Sequence, residues 1–358
     1  VQPLFQAHGG NLAWAASLAG CSPREILDFS ASISPLGTPP SAIAAIQAHL
    51  GDLAHYPDPD CRELCQVLSE VHAVSPEWIL PGNGSAELLT WASRELAELS
   101  STYLITPAFG DYLRSLKAFG AKVIRCPILL EGQAVLPKSL LDFSEAIGSK
   151  ATGLLLNNPH NPTGRLFAAE AILPLLDRFA LVVIDEAFMD FLLPEQQQSL
   201  IDRVADYPNL VILRSLTKFY GLAGLRLGYA IAHPDRLRRW RQWRDPWSVN
   251  VLAAAAGVAG LRDMVFQRRT WAWLAEAHTP LFEGLAALPG LDPIPSAVNY
   301  FLVRSERSAV ELQMKLLQAS RILIRDCRSF PELGDRFFRV AVRTVEENRL
   351  LLRGLAEV

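Results

Sequence analysis

A lysine placed one apolar run after a strand-terminal carboxylate is the feature of this sequence with the clearest chemical content. The run Leu181-Val182-Val183-Ile184 ends on Asp185. An acid closing a run apolar enough to be buried is costly unless a cation or donor meets it. The next run, Leu210 to Leu213, leads into Arg214-Ser215-Leu216-Thr217-Lys218, which brings the lysine to the same end of a sheet. An amine withdrawn from water beside other cations loses basicity, so it can form an imine and later act as a general base. Ser215, Thr217 and Arg226 can converge on a phosphate, Arg226 through its planar fork. Plainer readings stand beside these: Asp185 can cap the segment that follows it, and a lysine in an α/β chain is more often solvated. The Ser-x-Thr-Lys run, followed by Gly221 and Arg226, favours chemistry.

Two further strand ends belong with them, because ligands of open parallel sheets bind beyond the carboxyl ends of the strands. Pro81-Gly82-Asn83-Gly84-Ser85-Ala86-Glu87 reads as a glycine-rich turn opening a helix, whose amides and dipole favour an anion. A glycine turn with a serine N-cap is also ordinary structure. Asn157-Asn158-Pro159-His160-Asn161-Pro162-Thr163-Gly164 makes a rigid loop, with a cis bond placed at Pro162.

The elements that must carry these residues follow from the alternation of short apolar runs and amphipathic stretches between Tyr103 and His233. That alternation predicts βαβ units and a mainly parallel sheet covered on both faces. Predicted strands are Thr102–Ile105, Lys122–Cys126, Gly153–Leu156, Leu181–Ile184, Leu210–Leu213 and Gly228–Ala232; predicted helices are Ala86–Leu99, Tyr112–Phe119 and Ala168–Phe179. After His233 come an Arg- and Trp-rich helix, Asp235–Trp243, and an Ala-rich helix. From about Pro295 the pattern is that of a small α+β unit: strand Asn299–Val303, helix Ala309–Ala319, strands Ile322–Ile324 and Phe338–Val342, and a final helix.

Composition narrows the function classes. The 358 residues are 50% hydrophobic and 20% charged, with a formal net charge of −3; this is a globular composition with no long-range pull on nucleic acid or an anionic membrane surface. The run Arg236, Arg238, Arg239, Arg241, Arg244 with Trp240, Trp243 and Trp247 is read as a helix with Trp on one face and Arg stems on the other, rather than as a nucleic-acid surface. No apolar stretch reaches the roughly 20 residues of a spanning helix, and residues 1–11 lack the pattern of a secretory signal. Five dispersed cysteines suggest a reducing cytoplasm. Cys61 and Cys65 stand at helical spacing without further ligands, and no metal is expected.

Together, Gly82–Glu87, Asn161–Gly164, Asp185–Phe188 and Ser215–Lys218 with Arg226 resemble, in order and spacing, the class I/II aminotransferases of pyridoxal-5′-phosphate (PLP) fold type I. The resemblance implies an α/β fold with a large PLP-binding domain and a smaller α+β domain, divided as an N-terminal segment 1–35, a large domain 36–240, and 241–358 for an interdomain helix and the small domain. It implies that Lys218 holds PLP as a Schiff base and Asp185 pairs with the pyridine nitrogen. Asn161 would bond the ring hydroxyl, Phe109 would stack on the ring, and Gly84, Ser85, Ser215, Thr217 and Arg226 would hold the phosphate. Tyr56 would reach the phosphate of a neighbouring subunit's cofactor, so a homodimer with shared sites is implied.

His8-Gly9-Gly10-Asn11, Leu27–Ala31, Pro35-Leu36-Gly37, Pro246–Asn250 and Arg321–Arg325 resemble the threonine-phosphate decarboxylases of cobalamin biosynthesis; the histidinol-phosphate aminotransferases are the sister branch and the alternative function. They usually carry Tyr where Phe188 stands. By this resemblance Arg339 binds the substrate carboxylate, and Arg325 lies near the substrate phosphate with His8 and Tyr56; either arginine could instead be a strand-end surface charge. Ser32-Ile33-Ser34-Pro35 departs from the Asn-Ile-Asn-Pro of that branch, and Ser32, a substrate-side position, is shorter than Asn with fewer hydrogen-bonding sites. The expected partner is a small phosphorylated amino compound.

Overall fold

The computed structural model describes residues 9–141 and 151–358; His8 lies outside the described residues. Seven strands form the central sheet: β2 (Ile79–Asn83), β3 (Ser101–Thr106), β4 (Val123–Pro127), β5 (Thr152–Asn157), β6 (Leu181–Asp185), β7 (Leu210–Ser215) and β8 (Leu227–Ala232), preceded in the chain by the short β1 (Leu27–Asp28). Their spatial order is β2-β8-β7-β6-β5-β3-β4. The four pairings from β7 to β4 are parallel, while β8 runs antiparallel to both β7 and β2.

Every residue of β3, β5, β6, β7 and β8 is buried, and the two-residue period of a strand sorts them into two cores. Leu154, Leu156, Val182, Ile184 and Ile212 face one apolar cluster; Leu155, Leu181, Val183, Val211 and Leu213 face the other. The predicted runs between Thr102 and Ala232 therefore fall on observed strands. The strand β2 was not predicted, because Pro81-Gly82 reads as a turn. It lies at the sheet edge, where a proline without an amide donor is tolerated.

Three local expectations are corrected. The helix predicted over Ala168–Phe179 is one turn, Ala169–Ile172, followed by a 3₁₀ turn at Leu173–Leu175; Pro174 has no amide to continue the ladder. The cis bonds fall at Thr106–Pro107 and Asn158–Pro159, not at Pro162. The strand predicted over Ile322–Ile324 is shortened to Ile322–Leu323, with Ile324 outside any strand.

Four strands, β9 (Leu291–Pro293), β10 (Tyr300–Ser305), β12 (Arg325–Asp326) and β13 (Phe337–Ala341), make an antiparallel sheet in the order β12-β13-β10-β9. Just before β12, β11 (Ile322–Leu323) pairs in parallel with β1, Leu27 opposite Ile322. The segment after β1 is tied down by distant partners: Arg343 Nη1 donates to the Asp28 carbonyl, and the Ala341 amide donates to the Phe29 carbonyl. Ser30 Oγ donates to Asp28 Oδ1 and accepts from the Gly10 amide. The Ser34 amide donates to the carbonyl of Lys218 at 3.0 Å. These bonds hang residues 28–34 across the carboxyl ends of β6 and β7.

The Arg- and Trp-rich helix, Pro234–Trp243, lies on the large sheet. Leu237 and Trp240 are fully buried against its strands, Arg236 and Arg239 pair with Glu95, and Trp243 packs beneath the Arg94 and Arg239 guanidiniums. Among the described residues no helix is long and apolar enough to cross a membrane, and no group of three metal-ligating side chains is present.

Candidate active site

A cavity of about 250 Å³ opens at the carboxyl ends of β5, β6 and β7, and its wall includes Ser32, Ser85, Phe109, Asn161, Asp185, Ser215, Thr217, Lys218, Arg226, Arg325 and Arg339. Sequence-predicted residues from widely separated stretches thus meet in one place. Gly84 adjoins the wall, its φ of +73° in the left-handed region; a Cβ there would meet Arg226 Nη2 at 2.8 Å. The left-handed backbone is what favours glycine there; the guanidinium, at the end of a flexible side chain, would have to shift for any larger residue. Gly228 on β8 leaves room behind the turn, since a Cβ would lie 2.4 Å from the Ser85 amide nitrogen.

Asp185 closes β6 and is 8% exposed. Its Oδ2 accepts from the Tyr112 hydroxyl at 2.8 Å and its Oδ1 from the Ala187 amide at 3.0 Å. Burial raises its pKa, and the Tyr112 hydrogen bond, the Ala187 amide and the nearby Lys218 work against that rise. A carboxylate held this way at a cavity wall is matched to a cationic ligand group.

Lys218 follows β7 by three residues. Its amine is pushed down to about 8, first by withdrawal from water and then by the guanidiniums of Arg339, Arg226 and Arg325, with Asp185 opposing. Near pH 8 a large share of it is the neutral nucleophile. Ser215 Oγ and Thr217 Oγ1 lie 2.7 Å apart beside it. Arg226 stands exposed at the cavity mouth, with a left-handed φ of +58°, held by donation from Nη1 to the Ala223 carbonyl. Together with the start of the helix Gly84–Ala97 these groups make an anion cradle. Part of that helix start is already used, because the Asn83 amide donates to Glu87 Oε2 at 2.7 Å.

The opposite wall is cationic. Arg325 and Arg339 are register partners across β12 and β13, and they are 5% and 7% exposed. Like charges directly opposite repel, and burial together with Arg339 brings Arg325 down to about 10. Arg339 Nη1 donates to Asn161 Oδ1 at 2.5 Å, and its guanidinium lies 4.7 Å from the centre of the Tyr300 ring. Tyr300 in turn donates its hydroxyl to the His160 carbonyl at 3.0 Å. Ser32 Oγ, in a residue only 1% exposed, meets no hydrogen-bond partner among the described residues. Phe188 presents a plain ring edge-on to Tyr300.

One expected contributor, Tyr56, is not brought into the cavity of this chain: it is 78% exposed and stacks on Trp247 at 4.3 Å. A second, His8, lies outside the described residues. Conversely, Tyr112, Tyr300 and Asn157 belong to the site or its support without having been singled out. Tyr112 had a usable signal: it stands three residues after Phe109, one helical turn.

A lysine of lowered basicity, a buried carboxylate across the cavity, and an anion cradle between them define a PLP-dependent enzyme of the fold-type I class. The model for aminotransferase class I and II matches residues 24–355, and the chain belongs to that family. It is 39% identical to threonine-phosphate decarboxylase of Salmonella typhimurium over 98% of this chain and 96% of that one. It is 35% identical to histidinol-phosphate aminotransferase of Symbiobacterium thermophilum over 93% and 90%. The solved histidinol-phosphate aminotransferase of Sinorhizobium meliloti, in complex with pyridoxal-5′-phosphate, superposes with a TM-score of 0.84 at 25% identity, covering 100% of this chain and 96% of that one. The cofactor of this chain is PLP, and the residues present fit it: Asp185 would offer the ring nitrogen a counter-charge and the Gly84–Arg226 cradle would suit the phosphate.

One measurable consequence concerns Lys218. Only the neutral amine attacks a carbonyl, so capture of PLP by the cofactor-free chain is expected to accelerate with rising pH and level off above about pH 8. Stopped-flow absorbance over pH 6 to 11 reads it. A rate still climbing past about pH 10 is the behaviour of an ordinary lysine and refutes the lowered basicity.

Proposed function

We propose that the chain decarboxylates L-threonine O-3-phosphate to (R)-1-amino-2-propanol O-2-phosphate, a step of cobalamin biosynthesis, in the cytoplasm. The observation that carries this reading is the buried pair Arg325 and Arg339, opposite each other across two strands. Two guanidiniums so placed repel until anions arrive, and a substrate with both a carboxylate and a phosphate neutralises both. Arg226, Ser215, Thr217, Gly84 and Ser85 are assigned to the cofactor's own phosphate.

When bound, PLP supplies an electron-accepting ring that takes up the electron pair left when a bond to the substrate Cα breaks. The protein decides which bond. Arg339 grips the carboxylate and sets the Cα–carboxylate bond toward the ring, and its hydrogen bond to Asn161 makes that grip continuous with the ring-hydroxyl contact assigned to Asn161. Asp185 holds the proton of the ring nitrogen, and Phe109 covers a ring face. Arg325 takes the substrate phosphate, and Ser32 offers its unpartnered hydroxyl on the same side. Lys218 Nζ, which holds the cofactor covalently between turnovers, returns a proton to Cα after carbon dioxide leaves. Phe188 has no hydroxyl to add at the ring oxygen, which leaves that contact to Asn161. A homodimer completes the reading: Tyr56, exposed beside Trp247, reaches the phosphate bound by the other copy.

The second reading is transamination of histidinol phosphate with 2-oxoglutarate, favoured by the 35% identity to such an enzyme over most of the chain. There the Cα–H bond faces the ring and Lys218 Nζ shuttles that proton. The two are separated by incubating the enzyme with threonine phosphate, and separately with histidinol phosphate and 2-oxoglutarate. Carbon dioxide and an amino alcohol phosphate are expected from the first and no glutamate from the second. Glutamate without carbon dioxide overturns the decarboxylase reading in favour of the transaminase.

A further inference from the structure

We infer that Tyr112 is a positioning residue whose hydroxyl fixes the Asp185 carboxylate in its charged form, so that the carboxylate keeps a proton on the ring nitrogen of the cofactor. The inference rests on the PLP assignment and adds to it a residue on which neither the motifs nor the proposed reaction depends.

The geometry is specific. Tyr112 sits in the first turn of the helix Gly110–Ala118, which leaves the end of β3 and carries the ring across β5 to the end of β6. Its hydroxyl donates to Asp185 Oδ2 at 2.8 Å, and both residues are more than nine-tenths buried. The other oxygen, Oδ1, is committed to the Ala187 amide at 3.0 Å. The phenol ring lies in an apolar cluster with Leu89, Leu104 and Val183, so removal of the hydroxyl takes a donor from Oδ2 and puts no other in its place.

A carboxylate in that setting takes up a proton more readily. Protonated, it has no charge with which to hold a proton on a pyridine nitrogen, and the ring loses electron-accepting strength. Tyr112 itself stays a donor, since burial first and the neighbouring Asp185 next push its ionisation far above the ordinary tyrosine range. The same turn also carries Phe109, whose ring meets that of Tyr112 edge-on at 5.6 Å. Tyr112 therefore has two separable effects: the ring braces Phe109 and the hydroxyl governs Asp185.

The test uses Tyr112→Phe, which keeps the ring and deletes the hydroxyl, and Tyr112→Ala, which deletes both. Each is loaded with PLP carrying ¹⁵N in the ring and followed by nitrogen NMR, with the cofactor dissociation constant measured alongside. For Tyr112→Phe the ring-nitrogen resonance is expected to move from the protonated toward the unprotonated position. PLP is expected to bind on the order of tenfold more weakly, as loss of one hydrogen bond to a charged group implies. In an Asp185→Asn background the same substitution is expected to change neither quantity, because the group through which the hydroxyl acts is no longer charged. A Tyr112→Phe protein with wild-type resonance and affinity overturns the inference alone and leaves Tyr112 as a brace for Phe109. An undiminished effect in the Asp185→Asn background overturns it as well, since the hydroxyl would then act elsewhere. A wild-type chain that takes up no PLP overturns the cofactor assignment together with the inference.

Discussion

Replacing Lys218 by alanine is expected to yield a folded protein that loses its PLP on dialysis, shows no absorbance from covalently held cofactor, and turns over slower by about four orders of magnitude. The size follows from the number of tasks placed on one atom. Under the proposed reading Nζ would both hold the cofactor and move the proton at the substrate Cα. Among the described residues nothing else in the cavity combines an amine of lowered basicity with that location: the three arginines that line it hold their protons more firmly. The measurement is an absorbance spectrum before and after dialysis, with a turnover assay. Retention of more than a tenth of wild-type turnover would remove Lys218 from the chemistry.

The second large effect is on stability, and it comes from the residue four positions earlier. Arg214, on β7, is 1% exposed and points away from the cavity. Nε donates to Glu186 Oε2 at 2.8 Å, Nη1 to Asp190 Oδ1 at 2.6 Å and Nη2 to Gln197 Oε1 at 3.3 Å. Ser199 Oγ also donates to Glu186 Oε2. Arg214→Leu leaves Glu186, itself 1% exposed, as a buried acid without its cation, and a loss of about 3–5 kcal/mol in unfolding free energy is expected.

The loss depends on pH with a definite sign. Burial raises the folded-state pKa of Glu186 even with Arg214 present, and it rises further in the variant. A carboxyl that is harder to ionise folded than unfolded makes the folded state bind more protons, so stability falls as pH rises through the unfolded value of about 4.3. Arg214→Leu is therefore expected to be least stable at neutral and alkaline pH and to recover part of the loss below about pH 5. Adding Glu186→Gln should restore part of it at neutral pH. Urea unfolding of the cofactor-free chain measures both; a loss under about 1 kcal/mol shows that the ion pair is replaceable.

How far the sequence could be read differs by residue, for physical reasons. Asp185, Ser215, Thr217 and Lys218 could be placed because each follows an apolar run, and in a parallel sheet the ends of such runs share one edge. Their convergence needed only the sheet to be parallel from β4 to β7, which the alternation of apolar runs and helices encodes. Phe109, Asn161 and Arg226 depended on family spacing, since a loop residue has no periodicity to betray its direction. Tyr112 was hidden because the helix was predicted to begin at Tyr112, whereas it begins at Gly110. That shift of two residues is what puts Phe109 and Tyr112 in one turn. The facing of Arg325 and Arg339 was equally illegible: it requires the chain to leave one sheet after Leu323 and enter another at Arg325, and strand pairing across long separations leaves no local trace. Pro174 and Pro81 misled in opposite ways, one ending a helix that periodicity continued, the other standing in an edge strand that composition denied.

The bonds that hang residues 28–34 over the cavity carry a consequence for how the molecule comes into being. Arg343 and Asp28, joined by one of them, are 315 positions apart, and Leu323 and Ala341 hold the same stretch. During synthesis, which runs at about 5–20 residues per second, the strands bearing Asp185 and Lys218 leave the ribosome well before any of those partners. For that interval residues 28–34 have only the nearer contacts, the Gly10 amide on Ser30 and the Lys218 carbonyl for Ser34, to hold them. A nascent chain can thus assemble the Asp185 and Lys218 side of the cavity first, while Arg325 and Arg339, which under the proposed reading would choose the substrate, are made more than a hundred residues later, so specificity would be completed after the cofactor's side.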